Sequence, residues 1–140
     1  MSGAASPVRW GKDIVMGTVH GHPCRVYAHR PRAMAELLLD AQRWSERTYV
    51  VQGERRLTGA QFAAAVGRVC AEFRRRGVRA GQHVVLTGFN QIEWLVAFWA
   101  LQCIGPMVAL GNAWWSAQEA ADAADLVQPT LVVADRKLGH

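Results

Sequence analysis

The sequence predicts an α/β fold, a mostly parallel sheet with flanking helices. Short apolar runs of strand length, "VVLTGF", "MVAL" and "TLVVAD", recur along the second half of the chain. Helical patterns lie between them. Helix-start signatures mark where those patterns begin. Strands alternating with helices imply right-handed crossovers and therefore parallel neighbours.

Residues 1–31 hold Gly, Pro and His in no clear period and read as an irregular arm over the surface. The partial α/β unit is expected over residues 32–140. It opens with "PRAMAELLLDAQRWSERT", which has Met34, Leu37, Leu38 and Ala41 on one helical side. "TYVVQGERRLT" reads as a hairpin, with Tyr49-Val50-Val51 as one strand, Gln52-Gly53-Glu54 as the turn and Arg55-Arg56-Leu57 as the return. Thr58-Gly-Ala-Gln61 is a capping box, in which the Thr hydroxyl caps the first turn and Gln61 reaches back. Phe62, Ala65, Val66, Val69, Cys70 and Phe73 then recur at helical spacing, and Gly77 fits the left-handed residue that ends the helix.

After the strand "VVLTGF", Asn90-Gln-Ile-Glu93 repeats the capping arrangement with Asn90 as the cap. The helix from Gln91 to Ile104 is apolar nearly all round, which implies burial on several sides. "MVAL" is the next strand. Ser116-Ala-Gln-Glu119 is a further capping box, and its helix runs to about Gln128, where Pro129 breaks it. "TLVVAD" is the last strand. No closing helix follows it in the chain, so the last strand and one side of the sheet are expected to lie uncovered.

Composition narrows the function classes. About half of the chain, 51%, is apolar, enough for a core. The longest apolar run, Trp94 to Leu101, is far short of the roughly 20 residues a bilayer-spanning helix needs. The first residues carry no secretory signal. Cys24, Cys70 and Cys103 are widely spaced, as free thiols in a reducing compartment would be, and the expected location is the cytoplasm. The net charge of +5 is spread out, and its densest group, Arg74-Arg75-Arg76, closes a helix. Cations there serve the last carbonyls and the negative end of the dipole, so no nucleic-acid partner is expected.

Candidate chemistry is sparse. Ligands of open α/β sheets bind beyond the carboxyl ends of the strands, here Thr87 to Asn90 and Leu110 to Trp115. Both stretches hold Gly then Asn, which is turn chemistry. Neither matches a phosphate-cradling pattern. His20, His22 and Cys24 sit at alternate positions with His29 nearby, a set short of a structural zinc site. Ser45 and Ser116 lack the context of a nucleophile, and Ser116 caps a helix. Glu93 and Glu119 have capping roles, while Asp122 and Asp125 share a solvated helix face. No catalytic, cofactor-binding or metal-binding residue is assigned in this chain.

The stretch from Tyr49 to Asp135 resembles the N-terminal part of the AMP-forming acyl-CoA synthetases, the adenylate-forming family. The matching pieces are Gly77, Val78, Gly81, Val84, Asn90, Glu93, Ala97, Gly105, Leu110, Asn112 and Asp135. "NAWW" before a capped helix resembles the fatty-acyl-CoA ligases in particular. Gln82, Phe89 and Pro106 depart from the family's usual Asp, Pro and Ala. The resemblance implies an incomplete N-terminal subdomain of the adenylate-forming fold. The parent reaction joins a fatty acid to CoA through an acyl-adenylate, with ATP, Mg2+ and CoA as the implied cofactors. The family's phosphate loop, adenine and magnesium motifs and catalytic Lys have no counterpart in these residues, so the chain alone is expected to be inactive. The expected partner is the remainder of the ligase polypeptide or a homologous ligase. A non-enzymatic interaction module or decayed gene product pairing with a full-length ligase is the alternative, and the exposed edge also permits a homodimer. Trp114 and Trp115 pack either on those further parts or back on their own domain.

Overall fold

A computed structural model of the chain describes residues 13–136. The chain divides into two compact units, residues 1–32 and 33–140.

The described part of the first unit is an antiparallel hairpin, β1 (Ile14–Val19) with β2 (His22–Tyr27). This corrects the expectation of an irregular arm over those residues. The turn is made by His20 and Gly21, both at positive φ (48° and 82°). That is the two-residue geometry that matches the twist of a hairpin. Histidine in place of Asn or Asp hides the signal in the sequence. Residues 1–12 lie outside the described residues.

The second unit begins with α1 (Met34–Asp40), followed by a 3-10 turn over Ala41–Trp44. Of its expected apolar side only Leu38 is buried. The hairpin β3 (Thr48–Gln52) and β4 (Arg55–Thr58) forms as the sequence predicts, with the turn at Gly53-Glu54 and Gln52 still in the strand. Helix α2 (Gly59–Arg75) carries the expected capping box. Gln61 N–H donates to the Thr58 hydroxyl at 3.2 Å, and Thr58 N–H donates to the Gln61 side chain at 2.9 Å. Its other end is a left-handed Gly77 (φ 92°), where Gly77 N–H donates to the Arg74 carbonyl and Val78 N–H to that of Phe73. That bond pair satisfies carbonyls the helix leaves open. Arg79, rather than the three expected arginines, adds a guanidinium bond to the Arg74 carbonyl at 2.7 Å. Arg75 and Arg76 converge instead on Glu72.

The sheet is three-stranded and parallel, in the order β6-β5-β7: β5 is His83–Thr87, β6 Met107–Gly111 and β7 Leu131–Ala134. Helix α3 (Ile92–Ile104) connects β5 to β6, and α4 (Ala117–Val127) connects β6 to β7. The core lies between the sheet and the α2–α3 pair. Phe62, Val66 and Phe73 of α2 meet Val96, Ala100 and Leu101 of α3 over Val84 and Leu86 of β5. Burying each large apolar side chain contributes roughly 1.5–3 kcal/mol. Strand alternation puts His83, Val85 and Thr87 on the opposite face. There the His83 ring is bonded through Nδ1 to the Val127 carbonyl at the end of α4, 2.8 Å away. The α4 helix thus lies across the second face, held by a capping box at Ser116 and Glu119.

Candidate functional site

The carboxyl ends of the strands form the rim where the sequence places any ligand. Between the ends of β5 and β7 opens a cavity of about 300 Å³. Phe89, Trp94, Ala97 and Val133 give it apolar walls, and Gln91 and Asp135 give it a polar corner. The Gln91 side-chain amide donates to the Asp135 carboxylate. This bond joins the loop after β5 to the end of β7, and both residues are half-buried. Asp135 belongs to the set that carries the family resemblance; its partner Gln91 has no signal in the sequence.

The start of α3 departs from expectation. Asn90 is exposed and makes no cap; Gln91 holds the cap position, also without a side-chain cap bond. The hairpin supplies what Asn90 does not. The Gln52 side-chain oxygen accepts from Ile92 N–H at 3.2 Å, and the Arg55 guanidinium forks onto the two Glu93 oxygens at 2.5 and 3.2 Å. The Arg55 hydrogen bond holds the Glu93 carboxyl below the usual carboxylate range. Glu93 therefore ties β4 to α3 rather than closing a capping box. A shallower cavity of about 260 Å³ lies beneath this hairpin, against Val50, Ile92 and Leu95.

The β6 loop disposes of the two tryptophans differently. The Asn112 side chain accepts from Trp114 N–H at 3.0 Å and its carbonyl from Trp115 N–H at 3.2 Å, a tight Asx-type turn. The turn folds Trp115 back over Gly111, so this tryptophan is half-buried on its own domain. Trp114 stays 81% exposed and meets the edge of Phe89 at 5.3 Å between ring centroids.

The other candidates separate. His22 and Cys24 lie on β2, while His20 is in the turn. Among the described residues no three His, Cys, Asp or Glu side chains cluster to hold a metal ion. The Ser45 hydroxyl donates to Glu46, and Ser116 caps α4. Hydrogen bonds from the Ser116 backbone and hydroxyl lower the Glu119 carboxyl. Asp122 accepts from Gln118 on the exposed face of α4. Cys24, Cys70 and Cys103 are free thiols. Burial, reinforced by Cys70, pushes the Cys103 thiol up, which makes it a poor nucleophile. The rim can hold an apolar group against Trp94 and Phe89 and offers hydrogen bonding at Gln91 and Asp135. It brings together no nucleophile and base.

Residues 37–140 match the family described as AMP-binding enzyme. The chain belongs to the AMP-binding enzyme family. It is 39% identical over 88 residues to the chloroplastic/peroxisomal 2-succinylbenzoate–CoA ligase of Arabidopsis thaliana, which covers 61% of this chain and 15% of that one. It is 33% identical over 100 residues to the 7a-methyl-1,5-dioxo-octahydro-1H-inden-4-yl propanoyl:CoA ligase of Rhodococcus jostii, over 71% of this chain and 19% of the relative. Among solved structures, the N-terminal subdomain of Klebsiella oxytoca NpsA in complex with 3-hydroxybenzoyl-AMSN superposes with a TM-score of 0.72 at 16% identity, over 79% of this chain and 28% of that one. The fold of this AMP-binding chain is therefore part of the N-terminal subdomain of adenylate-forming enzymes. It spans less than a fifth of the length of these curated relatives. No helix among the described residues is long and apolar enough to cross a membrane.

Proposed function

We propose that these residues are the N-terminal part of an AMP-forming acid–CoA ligase. The observation that carries the reading is the family match over residues 37–140, on a chain with the fold of that family's N-terminal subdomain. In the parent reaction a carboxylate attacks the α-phosphate of ATP, giving an acyl-adenylate and pyrophosphate. The CoA thiol then displaces AMP. Magnesium and cationic groups that neutralise the phosphates carry such chemistry. In this reading the role of the chain is structural. It supplies a packed sheet and the α2–α3 layer on which the rest of the enzyme is built, and alone it is inactive. A fatty acid is the narrower substrate reading, supported by the "NAWW" loop. The curated relatives are named for acids that carry rings. The enzyme works in the cytoplasm, where its free thiols persist.

The test uses the native polypeptide that carries these residues, purified from its own cells. It is incubated with ATP, Mg2+, CoA and two sets of acids, straight-chain fatty acids and ring-bearing carboxylic acids. Formation of acyl-CoA and AMP is the expected result, and the preferred set decides the substrate class. Absence of any CoA thioester with both sets overturns the ligase reading. Pyrophosphate exchange by the isolated chain overturns the claim that it is inactive alone.

A further inference from the structure

Just past the carboxyl end of β5, one glycine separates a ring from a charge. A β-carbon at Gly88 would stand 3.2 Å from Trp94 Cδ1 and 3.3 Å from Asp135 Cβ. Any side chain there would enter the gap between the indole and the carboxylate, so glycine keeps that gap open. Trp94 and Asp135 line the same cavity of about 300 Å³, together with Phe89, Ala97 and Val133. That volume is at the small end of ligand sites, which run from roughly 300 to 1,000 Å³. It suits one ring with a short substituent. Trp94 is held by stacking on Phe98, with centroids 5.6 Å apart and 6° between the planes.

The charges around the cavity are sorted by depth. Two carboxylates and one guanidinium line it, those of Glu93, Asp135 and Arg136. Glu93 is exposed and is taken by the Arg55 fork. Arg136 is exposed, whereas Asp135 is half-buried. The inner charge is therefore negative. The Gln91 amide donates to one Asp135 oxygen, Oδ2. A carboxylate has about four acceptor positions in all, so Asp135 keeps capacity for a further donor.

We propose that this cavity binds a small primary amine carried on a flat ring, with the ring against Trp94 and the ammonium on Asp135. An ammonium brings N–H donors and a positive charge to the half-buried carboxylate, a charge-assisted bond of the stronger kind. The same charge is attracted to the aromatic faces of Trp94 and Phe89. A carboxylic acid of equal size fits the apolar walls but sets its anion against Asp135, a like charge. The ligand is thus opposite in charge to the acid of the ligase reading, and the proposal does not depend on that reading.

Calorimetric titration of the native polypeptide that carries these residues tests the proposal with two probes of the same ring, benzylamine and benzyl alcohol. Benzylamine is expected to bind at least about tenfold more tightly, the effect of one charge-assisted hydrogen bond. Equal binding of the two probes overturns the proposal, and so does the absence of benzylamine binding. Two substitutions then locate the amine. Asp135→Asn keeps an acceptor for Gln91 and removes the charge, so benzylamine should weaken at least about tenfold while benzyl alcohol stays unchanged. Gly88→Ala puts a β-carbon between ring and carboxylate and should weaken both probes. Benzylamine affinity that survives either substitution overturns the proposal. The comparison of probes on the unsubstituted polypeptide stands even where a variant fails to fold.

Discussion

The ring of Trp115 lies directly against Gly111, so that a β-carbon at residue 111 would stand 2.8 Å from its Cζ3 and 2.9 Å from Thr87 Cβ. The close approach lets the tryptophan close the end of the β5–β6 pair. Gly111→Ala must displace either the indole or the central strand. Overpacking of this kind costs about 1–3 kcal/mol. Urea unfolding followed by tryptophan fluorescence should show a lower midpoint with an unchanged slope. A variant as stable as the parent would mean that Trp115 does not rest there.

The two capping boxes should differ in their reach. Removing a Thr or Ser cap costs about 1 kcal/mol. Helix α2 buries Phe62, Val66, Cys70 and Phe73, whereas α4 buries nothing fully. Thr58→Ala should therefore lower the global unfolding free energy by about 1 kcal/mol. Ser116→Ala should fray α4 locally, visible as faster amide exchange at residues 117–120 with little change in the global midpoint.

Glu72 reports on pH. Hydrogen bonds from Arg75, and then Arg76, lower its carboxyl from 4.5 to about 2. The folded value lies below the unfolded one, so the contribution is complete above about 4.5 and is lost as pH falls toward 2. A carboxyl-carbon NMR titration should place Glu72 near 2, and the double variant Arg75→Gln, Arg76→Gln should return it toward 4.5. The pairs are exposed, so raising salt weakens the shift.

Gln128 ends α4 in the left-handed region, at φ 48° and ψ 58°. A side chain there is unfavourable, and its bond to the Asp125 carbonyl is exposed. Gln128→Gly should stabilise the domain by about 0.5–1 kcal/mol in urea unfolding. Destabilisation would show that the Asp125 contact outweighs the backbone gain.

The parts of the fold that read correctly from sequence are those built by local chemistry. Thr58 with Gln61 and Ser116 with Glu119 are neighbours in sequence, and so is Gly77 with the helix it ends. The alternation of apolar runs with these helices fixed the parallel sheet. Asn90 failed because its cap was replaced from a distance, by Gln52 and Arg55 on a hairpin some 40 residues earlier. The β1–β2 hairpin was missed because a histidine occupies a positive-φ turn position that Asn or Asp usually marks. At the rim, Thr87, Asn112 and Asp135 were visible as strand ends. The Gln91–Asp135 bond was not, since parallel pairing of β5 with β7 is a long-range event that carries no local pattern. The sequence alone allows the two tryptophans either of two coverings. Trp115 took its own domain, and a single glycine, Gly111, was the clue.

The central position of β5 has a consequence for synthesis on the ribosome. Chain order puts β5 first of the three sheet strands, yet among the described residues it is the one with a neighbour on both sides. Val84, Val85 and Leu86 leave the exit tunnel before either flanking strand does. Both edges of this apolar segment must wait, one until Met107 and the other until Leu131 has emerged. During that interval α2 is available first to shield it, and α3 follows once Ile104 has emerged. The Thr58 cap, which starts that helix early, thus protects the nascent sheet as well as the folded one.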